Sequence, residues 1–457
     1  MKRAVVVILT AVLAIGVAML TAEAAWAAPL VPPITAGTNP SSVALTPDGE
    51  YAYVTNQGSG TVSVIDAATN TVDATTPSIT VGSSPTWVAV SPNGKYAYVT
   101  NQNSGTVSVI DVATNTLDAT TPSITVGTSP TGVAVSPDGK YAYVANFGSD
   151  TVSVIDTATN TLDAATPSIT VGAFPFDVAF SPNGKYAYVS TGNSVVVVDV
   201  ATNTVAAATP PITVGLNPFA VAVSPDGKYV YVTNEASSSV SIIDAATNTV
   251  DAVTPSITVG STPEGVAFSP DGKYAYVSIN DGNTVTVIDV ATKTVDAVTP
   301  SITVGLNPTG VEFTSDGKYV YVTNYGDGTV SVISLASIGS ASPPQGTVGS
   351  AYTFTIPAFN TTSFAVTSGA LPTGLTIDPA TGAITGTPTA AGAFTFTVTA
   401  TGGDANPAVR AYTITVRPVL ASTGVSISPL IPGGALAAIL VGGTLTLLTT
   451  RQRRPRH

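Results

Sequence analysis

Short runs of alternating apolar and polar side chains recur along most of the chain, and each run ends at a turn-forming pair. Over residues 87–127 the order is WVAVS, the turn PNG, KYAYVTN, the loop QNSG, TVSVID, the turn VATN, and TLDATTPSITVG. A period of two puts β-branched and aromatic residues on one face of a strand, and Asn-Gly, Asp-Gly and Thr-Asn pairs close hairpins. The pattern predicts four short antiparallel strands. A Thr-Pro pair interrupts the last of them, which predicts a broken strand at an edge, where a missing backbone donor is tolerated.

This unit returns seven times. TPDGEYAYVTN begins at Thr46, and its copies begin at Ser91, Ser136, Ser181, Ser224, Ser269 and Thr314, spaced 45, 45, 45, 43, 45 and 45 residues apart. The short interval reflects the reduced loop TGN in the fourth unit. Four antiparallel strands in about 45 residues is the sequence form of a propeller blade. The ends of the array predict closure. PPITAGTNP (32–40) matches the end of a fourth strand and its exit loop, whereas the seventh unit runs from TVSVISL (329–335) into LASIGSASPP without one. The N-terminal strand is therefore expected to complete the last blade. Ring closure removes open sheet ends, and no polar capping repeat of an open solenoid is visible.

The motif Tyr53-Val54-Thr55-Asn56 recurs at 98–101, 231–234 and 321–324, with VSVID and ATNT at fixed offsets; the third, fourth and sixth units depart from it as YVAN, YVST and YVSI. These residues resemble the YVTN family of β-propeller repeats over roughly residues 34–335. The resemblance implies an extracellular or cell-surface propeller, a setting in which many members have no established activity. After a linker at 336–344, residues 345–418 read as six or seven short strands of a small β-sandwich. LPTGLTIDPATGAITGTP (371–388) followed by FTFTVTAT is similar to the immunoglobulin-like domains common in bacterial surface proteins, whose usual role is spacer or stalk. Its core is expected on Phe354, Ile356, Phe364, Leu375, Ile377, Ile384, Phe394, Phe396 and Val398. The expected fold is thus all-β: a seven-bladed propeller over 28–335 and an Ig-like sandwich.

Both ends carry addressing signals. Lys2 and Arg3 precede an apolar run, and Ala25 and Ala27 flank Trp26, the pattern of a signal peptide over 1–27 cut before Ala28. At the other end, Leu420, Ala421, Ser422, Thr423 and Gly424 precede an uncharged stretch, 425–450, and a basic tail, 451–457. The stretch is long enough to cross the hydrocarbon core, and the arginines that follow suit the cytoplasmic side. This order resembles a sortase sorting signal in the Leu-Ala-x-Thr-Gly form used by class E sortases of high-GC Gram-positive bacteria. It implies that the span holds the exported chain at the membrane, and that a class E-like sortase cuts between Thr423 and Gly424 and joins Thr423 to a peptidoglycan precursor. The expected location is the cell wall, or the membrane if the chain is not sorted.

Charge and residue types narrow the chemistry. Between the two end segments the chain carries 9 basic and 26 acidic residues, so no basic patch exists to displace counterions from nucleic acid. Acidity of this kind serves solubility outside the cell. There is no cysteine, and the single histidine is His457, in the tail. Ser-His-Asp and Cys-His catalysis and histidine-ligated metal sites are excluded from the body. The repeated aspartates, such as Asp48 and Asp66, occupy turns in which Asp bonds its own backbone. Asp150, Asp281 and Asp327 lie beside glycines but lack the spacing of an EF-hand loop, and no metal or cofactor is expected.

Successive loops of a four-stranded blade alternate between two faces. SPDGK and ATNT share one face and scarcely vary; the second–third loops and the links between blades share the other and vary strongly. The singular link residues Trp87, Phe176, Asp177, Phe219 and Glu264 stand just before the innermost strands and are expected to ring the mouth of the central channel. Aromatics with a few acids around a concavity suit recognition of a protein or glycan. The sequence therefore points to a non-catalytic surface propeller, binding such a ligand or serving as envelope structure. The alternative is a propeller hydrolase or lyase that uses Asp177 and Glu264 as an acid–base pair or with a metal.

Overall fold

The computed structural model describes residues 31–402 and 407–419, together with two short strands at Leu440–Val441 and Thr444–Leu445. The signal-peptide residues, the pentapeptide 420–424 and the basic tail lie outside the described residues, as does the 425–450 stretch apart from those two strands. Among the described residues no helix is long and apolar enough to cross a membrane.

Seven antiparallel sheets follow one another from Val31 to Ser334. In the first blade the strands run from the innermost, Pro40–Leu45, through Tyr51–Asn56 and Thr61–Asp66 to an outer strand split into Thr71–Val72 and Ser78–Thr80. Both outer pieces pair with Thr61–Asp66, and the segment that joins them carries the Thr-Pro pair. In the last blade no outer strand follows Thr329–Ser334; Val31–Thr35 pairs there instead, antiparallel, with Ile34 opposite Val330. The two ends of the array thus share one sheet.

The conserved turn chemistry is visible in the first blade. Asp48 accepts hydrogen bonds from the Thr46 hydroxyl and the Glu50 amide, and Gly49 turns the chain at φ 74°, a left-handed conformation that costs glycine little.

The Tyr-Val-Thr-Asn strand joins each blade to its neighbours through three different side chains. Its tyrosine is buried and reaches forward: the Tyr98 hydroxyl donates to Asn160 Oδ1 of the next blade at 2.7 Å, and Tyr188 does the same to Asn248 at 2.7 Å. Tyr53, Tyr143 and Tyr321 make the equivalent bonds to Asn115, Asn203 and Asn70, and the last of these joins the seventh blade to the first. The accepting asparagines all sit at φ between 51° and 55°. Asparagine tolerates this left-handed position, so one residue closes the ATNT turn and receives the neighbour's hydroxyl. The threonine also reaches forward: Thr55, Thr233 and Thr323 donate to the backbone carbonyls of Thr86, Glu264 and Ser41 on the following inner strands. The asparagine holds its own blade, as in Asn146, which accepts from the Gly127 amide and donates to Thr151 and Ser153.

Five of the seven tyrosines make this bond to asparagine; the seventh unit has no ATNT turn to receive Tyr276, and the sixth has lost its asparagine. Where the sixth reads ATKT, Lys293 takes the left-handed position (φ 56°), places Nζ 2.5 Å from Asp251 and lies 4.1 Å from the Tyr229 ring centroid. With asparagine gone, the buried Tyr231 hydroxyl has no hydrogen-bond partner.

The sandwich follows without a free linker. Ser337–Ile338 already pairs with Ala358–Phe359, and the Tyr412 and Tyr352 hydroxyls fasten the segment behind it by donating to the carbonyls of Gly339 and Pro344, each at 3.0 Å. One sheet holds Gly346–Thr347, Ala408–Arg417, Gly392–Thr401 and Ser363–Gly369; the other holds Tyr352–Thr355, Ala383–Gly386 and Leu375–Ile377. Six of the nine expected core residues lie in the buried cluster between them, with Tyr352, Tyr412, Ile414 and Val416, and Phe354, Ile377 and Phe394 pack against it half-buried. The sandwich touches the seventh blade on its invariant-turn face. Phe359 packs edge-on against Tyr319 with centroids 5.5 Å apart, Lys318 lies over Phe359, and Asn360 donates to Ser334.

The tyrosine–asparagine bonds between blades make a paired prediction. Tyr321→Phe removes a made hydrogen bond at the closure and is expected to lower stability by about 1 kcal/mol, whereas Tyr231→Phe removes only an unpartnered buried hydroxyl and is expected to leave stability unchanged or raised. Denaturant midpoints of the two variants, measured side by side, check this.

Candidate functional site

The link between blades ends in a proline, which opens the inner strand in six blades and precedes it by three residues in the fourth, and the next residue stands at the rim of the ring. That position reads Ser41, Thr86, Thr131, Phe176, Phe219, Glu264 and Thr309 around the seven blades, and all seven side chains line one cavity of about 420 Å³. Trp87, one place further along, reaches the same cavity. The layer is held from below by the forward-reaching threonines. The third unit, reading YVAN, has no such hydroxyl; Thr131 compensates by donating to the Phe176 carbonyl at 2.6 Å.

The cavity lining is of two kinds. Phe176 and Phe219 lie with ring centroids 4.0 Å apart, and Trp87 meets them at 6.3 and 6.1 Å. Phe147, from a second–third loop, packs edge-on against Phe176 at 6.4 Å and is itself capped by Phe174. Phe174 adopts a left-handed φ of 57°, and its amide is held by Asp150. The lining also includes Gln57, Gln102, Asn280, Asn307 and Tyr325. The Tyr325 hydroxyl donates to Gln57 at 2.8 Å, and Asn307 donates to Asn280 at 3.0 Å. The expected aromatics and Glu264 therefore do come together. The amides are the part that sequence reasoning missed, although their signal was present: these residues follow the YVTN strand or precede the link proline, where neighbouring units differ.

Asp177 is placed otherwise. It lies one residue deeper, is 4% exposed, and lines a second cavity inside the ring of inner strands. Its carboxylate accepts from the amides of Val178 and Val221, the latter on the next blade. Burial pushes its carboxyl up to about 7 against those two hydrogen bonds. Asp177 is a strut between blades. Glu264 lines the mouth without it, and burial, with Glu235 and Asp281 nearby, pushes the Glu264 carboxyl up to about 8. No donor of the described residues hydrogen-bonds the Glu264 carboxylate.

A second acid lies within the ring. Six inner strands carry alanine opposite the YVTN tyrosine, as Ala267 stands opposite Tyr276; the seventh carries Glu312 opposite Tyr321. Glu312 lines the inner cavity with Asp177, with no Lys, Arg or His among the lining residues. Burial pushes its carboxyl up to about 7, against one hydrogen bond from the Phe313 amide. The three loop aspartates are spent locally: Asp150 on the Phe174 amide, Asp281 on the Thr262 hydroxyl and Asp327 on the Leu306 amide.

Comparison with known proteins agrees with this architecture. The family described as "Lactonase, 7-bladed beta-propeller" matches residues 37–209, "Cytochrome D1 heme domain" matches 258–339, and "Putative Ig domain" matches 332–417. No curated protein matches the chain. Among solved structures, Kuenenia stuttgartiensis Hydrazine Synthase is similar at 28% identity over 65% of this chain and 96% of that one, with a TM-score of 0.58. The chain is a β-propeller followed by an Ig-like domain.

Glu312 makes stability depend on pH. Its carboxyl holds a proton up to about 7 in the folded ring but only to about 4.5 in the unfolded chain. Between those values the folded state binds more protons, so stability falls as pH rises and stays lower above 7. Glu312→Gln is expected to melt with the parent at pH 4 and to be more stable at pH 8, by roughly 1–3 kcal/mol. Thermal melts at the two pH values check the sign.

Proposed function

We propose that this is a non-catalytic binding propeller, displayed at the bacterial cell surface on its Ig-like domain and attached to the cell wall through Thr423. The observation that carries the binding reading is the mouth cavity. Packed aromatic rings, amides and a phenol line a concavity of about 420 Å³, the mixture of apolar area and a few polar groups that ligand sites use. The Ig-like domain meets the seventh blade at Lys318, which ends the turn after the inner strand, and at Tyr319, which opens the next strand, and so leaves the mouth face clear.

Attachment rests on the order of pentapeptide, apolar stretch and arginines, with export resting on the signal-peptide pattern. A class E-like sortase and a peptidoglycan precursor are the partners this implies. The hydrolase alternative, which the lactonase likeness recommends, needs two cooperating groups. Glu264 is the single carboxylate lining the mouth, and Asp177 lines a separate cavity with its oxygens committed to backbone amides.

Two measurements test the reading. Thr423→Ala is expected to move the protein from the cell-wall fraction to membrane or medium; unchanged wall attachment counts against sorting. In a screen on protein and glycan arrays, a Trp87→Ala, Phe176→Ala, Phe219→Ala variant is expected to lose the binding of the parent by at least about tenfold, as loss of buried aromatic anchors does elsewhere. Binding that survives all three changes places the ligand elsewhere on the molecule.

A further inference from the structure

The two faces of the propeller differ in charge. All seven propeller lysines lie in the invariant turns: Lys95, Lys140, Lys185, Lys228, Lys273 and Lys318 after the first turn of their blades, and Lys293 in an ATNT-type turn. The variable face carries Asp150, Glu235, Glu264, Asp281 and Asp327 and no lysine or arginine. A concavity lined by one sign of charge focuses its field and raises the local concentration of the opposite charge.

Within that field, Glu264 shares the mouth cavity with Trp87, Phe176 and Phe219. It lies there with no salt bridge and no hydrogen bond to its carboxylate from any described residue. Burial without a partner favours the protonated form of Glu264, and an arriving cation offsets the cost of ionising it, so that the carboxylate forms as the cation binds and its proton leaves to solvent. Beside it, Trp87 packs against both phenylalanines and the two phenylalanines pack against each other. Such a cluster presents aromatic faces and edges around one corner. Aromatic faces attract cations through their quadrupoles, tryptophan most strongly. A bare metal ion does not suit this lining: the described residues hold no group of three or more His, Cys, Asp or Glu able to ligate one. The rest of the lining supplies amide and phenol oxygens that can accept from an N–H or O–H further along a ligand.

We infer that the mouth cavity binds an organic ammonium group, its charge set between the Glu264 carboxylate and the rings of Trp87, Phe176 and Phe219. The inference rests on the binding reading above and names the chemistry that site selects. A neutral ligand would stack on the same rings but leave Glu264 unpaired.

Trp26 and Trp87 are the two tryptophans of the chain, and Trp26 lies in the signal-peptide pattern cut before Ala28, so in the chain from Ala28 onward the emission reports on Trp87 alone. Titration with choline is expected to change Trp87 emission saturably, and calorimetry to give the same affinity. The neutral isostere 3,3-dimethyl-1-butanol is expected to bind at least about tenfold more weakly, since cation–π attraction and one charge pair together supply more than that factor. n-Butylammonium in a third arm separates a quaternary headgroup from a lysine-like primary amine; tighter binding of either over the neutral alcohol supports the inference. Glu264→Gln is expected to narrow the preference for choline over the alcohol to the part that the aromatic rings supply, while both still bind. Equal binding of choline and the alcohol by the parent overturns the inference and leaves an apolar pocket. Array ligands that bind through the aromatics, with no response to either ammonium ion, overturn it while the binding reading stands. No saturable response to any of these probes or array ligands overturns both.

Discussion

The hydrogen bond from a buried tyrosine of one blade to a left-handed asparagine of the next is the interaction on which this ring depends. A propeller blade is a small sheet that cannot cover its own faces, so its stability lies in contacts with its neighbours. The Tyr–Asn pair secures that contact at the invariant-turn face, and the threonine two residues further along secures it at the mouth. Both donors come from one strand. That strand can hardly vary without loosening two blade interfaces at once, which accounts for the near-identity of the repeats. Where the asparagine is lost, at Lys293, a different pair forms with Asp251 and the Tyr231 hydroxyl is left idle.

Because the framework is held by strands and invariant turns, the links between blades are free to differ. Where the residue after the link proline is Ser or Thr, as at Ser41, Thr131 and Thr309, its hydroxyl bonds the next blade's backbone. At Phe219 and Glu264 the hydroxyl of the preceding blade's second strand bonds the backbone carbonyl instead. Ser, Thr, Phe and Glu can therefore exchange there without disturbing the ring. Seven such positions meet around one axis, and their variation makes one cavity lined by aromatic rings as well as amides. The same geometry separates positions only one residue apart. Phe176 turns to the mouth, while Asp177 turns inward and braces two blades through the amides of Val178 and Val221.

Charge follows the same division. The lysines sit in invariant turns, several beside the aspartate of their own turn, and the Ig-like domain docks among them at Lys318 and Tyr319. The acids that differ between blades collect at the other end of the ring. A molecule tethered by its C-terminal domain thus offers its acidic and aromatic face free of that domain.

By itself the sequence determined the blade. Its period, its four strands, the Thr-Pro break and the turn types were legible because each is a local preference of a few residues, repeated often enough to exclude accident. The surplus strand at 31–35 and the missing one after residue 334 were legible for the same reason. It also marked Trp87, Phe176, Phe219 and Glu264, because a residue that departs from most of its repeat copies is conspicuous. Four things were decided only by the tertiary structure. The tyrosines donate to a neighbouring blade, which no spacing within one repeat reveals. Gln57, Asn280, Asn307 and Tyr325 join the aromatics in one cavity, although they come from loops far apart in the chain. Asp177 lines the inner cavity although Phe176 beside it lines the mouth, because its carboxylate is held by the amides of Val178 and Val221. Glu312 replaces one alanine in an otherwise uniform inner ring, and its meaning appears only when that ring closes and its carboxyl is enclosed by the other six blades.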